Sequence, residues 1–130
     1  MSFRSRSLAV SLCSLLSMVG CGADKEEPAP KVNYTNNVSV ILKTHCQECH
    51  MPQSEGAEKS GFVMDTYASV MKGTKLGPVV VPGSAESSTL YRLVAGKADP
   101  SIKMPHGQKP LTNKEINTIK VWIDAGAPET

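Results

Sequence analysis

Apolar residues along this chain fall into short bursts at helical spacing, separated by polar stretches that carry glycine and proline. Val38, Ile41, Leu42 and His45 stand at i, i+3, i+4 and i+7, one face of a helix that begins among the capping residues Asn33 to Asn37. Asp65 and Thr66 cap a short helix over Tyr67 to Lys72, closed by Gly73. Ser84 caps the next, with Leu90, Leu93 and Val94 on one face and Gly96 as terminator. The last helix is the best marked. Thr112 and Glu115 form a capping box, and Leu111 with Ile116 a hydrophobic staple. Ile116, Ile119 and Ile123 make its inward stripe, Trp122 lies beside them, and Gly126 ends it. Val79 to Val81 is an apolar run between Gly77-Pro78 and Pro82-Gly83, too short to make a sheet. Phe62 to Met64 reads as an extended segment, Met51 to Gly61 as a loop, and Lys97 to Pro110 as irregular. The predicted class is all-α, with about four short helices around a small core.

The first 20 residues stand apart. Arg4 and Arg6 precede the apolar run Leu8 to Val19, which is too short to span a bilayer and reads as the core of a signal peptide. It leads into Met18-Val19-Gly20-Cys21, which resembles a bacterial lipobox with methionine in place of the usual leucine. Cys21 is then the lipidated first residue of the mature chain. The competing reading is ordinary cleavage nearby with Cys21 incidental. The expected organisation is a lipoprotein-type signal peptide over 1–20, a flexible lipid-attached tether over 21–33 bearing Pro28 and Pro30, and one domain over 34–130. Losing Arg4 and Arg6 takes Lys plus Arg from 14 to 12, equal to the 12 Asp plus Glu, so the formal charge of +2 falls to zero. A neutral mature chain gives no footprint for nucleic acid.

The sharpest chemical signal is Cys46-Gln47-Glu48-Cys49-His50, the Cys-x-x-Cys-His pattern of covalent c-type haem attachment. Two thiols three positions apart reach one haem edge, and the adjacent imidazole becomes the proximal iron ligand. Cys46, Cys49 and His50 could instead be zinc ligands with His45 or His106 as the fourth, or Cys46 and Cys49 a redox dithiol. Zinc usually brings a second Cys/His cluster, and thiol redox a strand–helix context; neither is present. With Cys13 removed, Cys21 lipidated, and Cys46 and Cys49 on haem, every thiol has a fate in an oxidising compartment. Few large aromatics remain to build a core: Tyr34, Phe62, Tyr67, Tyr91 and Trp122. A domain so small is marginal without a staple, and a single haem supplies the missing apolar volume. The apo-chain is therefore expected to fold poorly.

The order of these features resembles a class I cytochrome c domain. The finer resemblance is to the planctomycete-type cytochrome c family, carried by Met64-Asp65-Thr66-Tyr67, Val81-Pro82-Gly83-Ser84, Lys103-Met104-Pro105, and Leu111-Thr112 through Trp122-Ile123-Asp124-Ala125-Gly126-Ala127. It covers roughly residues 34–127. It implies a small all-α fold with the first and last helices packed crosswise, one covalent haem c, and a sixth iron ligand from the Met-Pro loop. That ligand is Met104, in an irregular segment that Pro105 stiffens. Where the family has a second proline this chain has His106, the alternative ligand, since residues two apart in an extended segment point the same way. His45 and Met51 lie on the proximal side, and Met64 and Met71 read as core fillers.

The expected function is a lipid-anchored monohaem cytochrome that carries single electrons between redox partner proteins outside the cytoplasm, on the periplasmic or cell-surface side of a bacterial membrane. It is expected to be a carrier, not an enzyme. The alternatives are an open-site haem enzyme and a sensor or interaction module in which haem is structural.

Overall fold

The computed structural model describes residues 31–130. The expected signal peptide, most of the tether and the lipidation site Cys21 lie outside the described residues. Among those described, no helix is long and apolar enough to cross a membrane, and the fold is helical without strands, as the apolar spacing requires.

The chain enters through a turn of π-helix, Tyr34–Val38, that leads directly into α1, Ser39–His45. The Asn33 side chain caps it by accepting from the Asn36 N–H at 2.8 Å. At Cys46 the backbone departs from helix (φ −127°, ψ −35°), and α2, Gln47–His50, follows as a separate turn. The segment expected as a loop between Met51 and Gly61 instead holds a helix, α3, Glu55–Ser60. Ser54 starts it after bonding back to the Met51 carbonyl at 2.7 Å, Glu55 and Lys59 pair across one turn, and Gly61 ends it at φ +74°.

Phe62 to Met64 runs extended, with Phe62 and Met64 buried. α4, Tyr67–Lys72, has the expected limits: Thr66 accepts from the Ser69 N–H at 3.1 Å, and Gly73 terminates it. The next helix starts later than Ser84. Ser84 closes only a turn with Ser87, and α5 spans Thr89–Val94 with Ser88 before it. The buried Ser88 hydroxyl donates to the Ser84 carbonyl at 2.8 Å and accepts from the Val81 N–H at 2.8 Å, so the chain bends there. A single 3₁₀ turn, Pro100–Ile102, interrupts the irregular segment that follows. The last helix, α6, spans Asn113–Asp124 and carries the expected reciprocal capping box between Thr112 and Glu115. Six α-helices result among the described residues, because the first expected helix divides at Cys46 and α3 adds another.

The core sits where α6 crosses the first described turns of the chain. Val38, Leu42, Val70, Ile119, Trp122 and Ile123 are essentially sealed from water. Each such side chain contributes roughly 1.5–3 kcal/mol by burial. Beyond α6 the chain clasps the segment that leads into α1. The Pro128 carbonyl accepts from the Tyr34 N–H and the Trp122 indole, each at 2.9 Å. Glu129 O accepts from Thr35 N–H at 3.0 Å, and Ala127 O from the Tyr67 hydroxyl at 2.8 Å.

Candidate functional site

Against one side of that core lies an open cavity of about 500 Å³. Its walls come from α2 and α3, from Phe62, Met64 and Val79, from α5 through Leu90, Leu93 and Val94, and from the segment Met104-Pro105-His106. Cys46, Cys49 and His50 all face into it. The fold thus brings together all the site residues expected between Cys46 and His106. His45 joins them on the cavity wall.

His50 is oriented by the backbone. Its ring Nδ1 lies 3.0 Å from the Phe62 carbonyl, which can only accept, so Nδ1 carries the proton and Nε2 keeps its lone pair. The Phe62 ring meets the imidazole edge-on at 5.6 Å between centroids. α3 presses against the same turn through Gly56. A Cβ there would collide with the Cys49 carbonyl and come within 3.3 Å of the His50 ring. In the sequence Gly56 has the look of a loop glycine; in the fold it lets two helices meet at the cavity floor. The signals that mark α3 are present in the chain: Glu55 and Lys59 four apart, and Gly61 after them.

Electrostatics separates the cavity from a reactive dithiol. Burial, and secondarily Cys49, push the Cys46 thiol up to about 11. Reactive thiol pairs need the opposite, a depressed value. No three His, Cys, Asp or Glu side chains converge to hold a metal ion among the described residues, so the tetrahedral zinc set with His45 or His106 is not assembled. His45 is engaged elsewhere, its Nε2 lying 2.9 Å from Glu115 Oε1. Glu115 is held down to about 2 by the Thr112 N–H, then the Thr112 hydroxyl, then His45. One carboxylate therefore caps α6 and ties it to the cavity wall.

Of the two candidates for the sixth ligand, Met104 is half-buried and packs against the core, and its N–H donates to Leu93 O at 3.4 Å. His106 lines the opening but is exposed. The residues fit a haem in chemistry as well as volume. The lining is mostly apolar, so apolar contents that cover it are stabilised by roughly 25 cal/mol for each Å² taken from water.

Residues 46–106 match the family model described as Planctomycete cytochrome C, a span that opens on Cys46 and closes on His106. Comparison with curated proteins and with solved structures gave no match. That segment is similar to the planctomycete cytochrome c family, c-type cytochromes whose haem c is bound covalently.

Proposed function

We propose that this protein is a lipid-anchored, monohaem electron carrier working outside the cytoplasm between redox partner proteins. The observation that carries the reading is the apolar cavity in which Cys46, Cys49, His50 and Met104 all meet. There Cys46 and Cys49 would hold the haem through thioethers, and His50 through Nε2 and Met104 through its sulfur would hold the iron. Haem c, when bound, supplies a one-electron ferric–ferrous couple. The chain's residues set the conditions. The Phe62 carbonyl fixes the His50 tautomer and strengthens the imidazole as a donor. Phe62, Met64, Leu90 and Val94 keep the interior dry. The soft Met104 sulfur favours the reduced state relative to a second histidine. If His50 and Met104 both hold the iron, no position is left on it for a substrate, which favours carriage over catalysis. Met104 is preferred to His106 because it already packs against the core while His106 faces water. Anchoring rests on the Met18-Val19-Gly20-Cys21 sequence.

The test is spectroscopic. The oxidised protein is expected to show the weak sulfur-to-iron band at the red end of the visible spectrum. Met104→Ala erases it and His106→Ala leaves it. Ligation lost in His106→Ala, with no such band in the native protein, assigns the position to His106 and lowers the expected potential. A native iron that binds carbon monoxide freely replaces the carrier with an open-site enzyme or sensor. Mass analysis of the mature amino terminus tests the anchor: a lipidated Cys21 is expected, and an unmodified terminus elsewhere overturns it.

A further inference from the structure

Gln47 lies between the two cysteines, where the attachment pattern specifies no residue, yet its side chain is committed. Its Nε2 donates to the Met64 carbonyl at 2.7 Å, the shortest of three hydrogen bonds between α2 and the extended segment Phe62 to Met64. The other two are Met64 N–H to the His50 carbonyl at 2.8 Å, and His50 Nδ1–H to the Phe62 carbonyl at 3.0 Å. Gln47 and His50 are three apart on α2, so their side chains leave the same face. Phe62 and Met64 are two apart in extended backbone, so their carbonyls lie along the same edge. The two spacings make a clamp with Gln47 at one end and the imidazole at the other.

We propose that Gln47 is a positioning residue for the axial histidine. By holding Met64, it keeps the Phe62 carbonyl at hydrogen-bonding distance from His50 Nδ1. The inference rests on the reading of His50 as the proximal ligand and adds a regulator of its donor strength. Without the Gln47 amide the Met64 N–H is the one remaining bond that supports the Nδ1–H···O contact from the same segment, and the Phe62 carbonyl drifts. A weaker Nδ1–H···O bond makes the imidazole a poorer donor, which disfavours the ferric state. The potential then rises.

The experiment uses the holoprotein and the variants Gln47→Leu, Gln47→Met and Gln47→Arg. Two readouts are taken: the midpoint potential, and exchange of the His50 Nδ1 proton in the ferrous state followed by NMR. Leu and Met remove the donor, and Arg retains one. In Gln47→Leu the ferric-to-ferrous ratio at fixed ambient potential is expected to fall about threefold, which is about 30 mV at 59 mV per tenfold for one electron. Proton exchange is expected to quicken at least tenfold, and Gln47→Arg to restore both. Gln47→Met repeats the measurement in a flexible side chain of similar length should leucine hinder folding. An unchanged potential and exchange rate in Leu and Met, or equal changes in Arg, overturns the proposal while the haem reading stands. A native chain with no covalent haem on a haem-stained gel overturns both.

Discussion

The two ends of α6 face different worlds. Towards its carboxyl end, Ile119, Trp122 and Ile123 are sealed against Val38 and Leu42, and the chain beyond is tied to Tyr34 and Thr35 by main-chain hydrogen bonds. On the cavity side, Met104 and Pro105 are half-buried, and His106 to Pro110 are exposed. A polar link there, Gln108 Nε2 to Glu48 Oε2 at 3.2 Å, is solvent-exposed and therefore weak. The first region is held by the chain's own packing. The second is shaped for contents the chain does not provide. A protein that must close around a large flat group can have a finished core on only one side.

The sharpest way to break this contrast is to deny the second region its contents. Cys46→Ala with Cys49→Ala is expected to abolish covalent haem, read on a haem-stained gel. The resulting chain should lose its cooperative thermal transition by circular dichroism, because the apolar walls of the cavity are then left against water. A transition of native size in that variant would mean the core side folds unaided. Next in size is Trp122→Ala, which attacks the core side alone. It should destabilise the holoprotein by about 3–5 kcal/mol in denaturant titration. The Soret and visible bands should keep their native positions below the transition, since Trp122 does not line the cavity.

Gly56→Ala probes the junction between α2 and α3. Its methyl meets the Cys49 carbonyl, so about 1–3 kcal/mol of overpacking is expected, together with a perturbed His50 environment in NMR. The smallest effect concerns Glu115, which couples the two regions through His45. Its carboxyl is lowered to about 2 from an ordinary 4.5, so the stability it contributes is complete above pH 4.5 and lost as pH falls towards 2. The carboxylate is partly open to solvent, so screening leaves about 1 kcal/mol. Glu115→Gln should therefore flatten the acid limb of thermal stability between pH 4.5 and 2 and leave the neutral plateau lower by that amount.

These experiments also separate what local sequence dictates from what packing dictates. Thr112 with Glu115, and Thr66 with Gly73, are legible because a cap is a bond between near neighbours. That Cys46, Cys49, His50 and Met104 line one cavity is legible because their chemistry is specific enough to group them before any contact is known. Ser84 misleads because it has the composition of a helix cap, while the Ser88 hydroxyl, seven residues from Val81, captures the backbone first. α3 is missed because Gly56 and the serines near its ends look like loop and outweigh its local signals, the Glu55–Lys59 pair and Gly61. Its stability comes from leaning on α2, a contact that no local propensity records. Gln47 is silent for the same reason: its partner, Met64, is 17 residues away.

The clasp at the far end of the core has a consequence for how such a unit can be used. Tyr34 and Thr35 bond the Pro128 and Glu129 carbonyls, so the domain's incoming and outgoing segments run side by side, about 5 Å apart at the usual spacing of hydrogen-bonded chains. A cassette whose two leads emerge together can be spliced into a surface turn of another protein without stretching its host. The same arrangement permits circular permutation: a short linker joining the leads would let the chain be opened elsewhere, with the exposed turn at Leu76 an available break point.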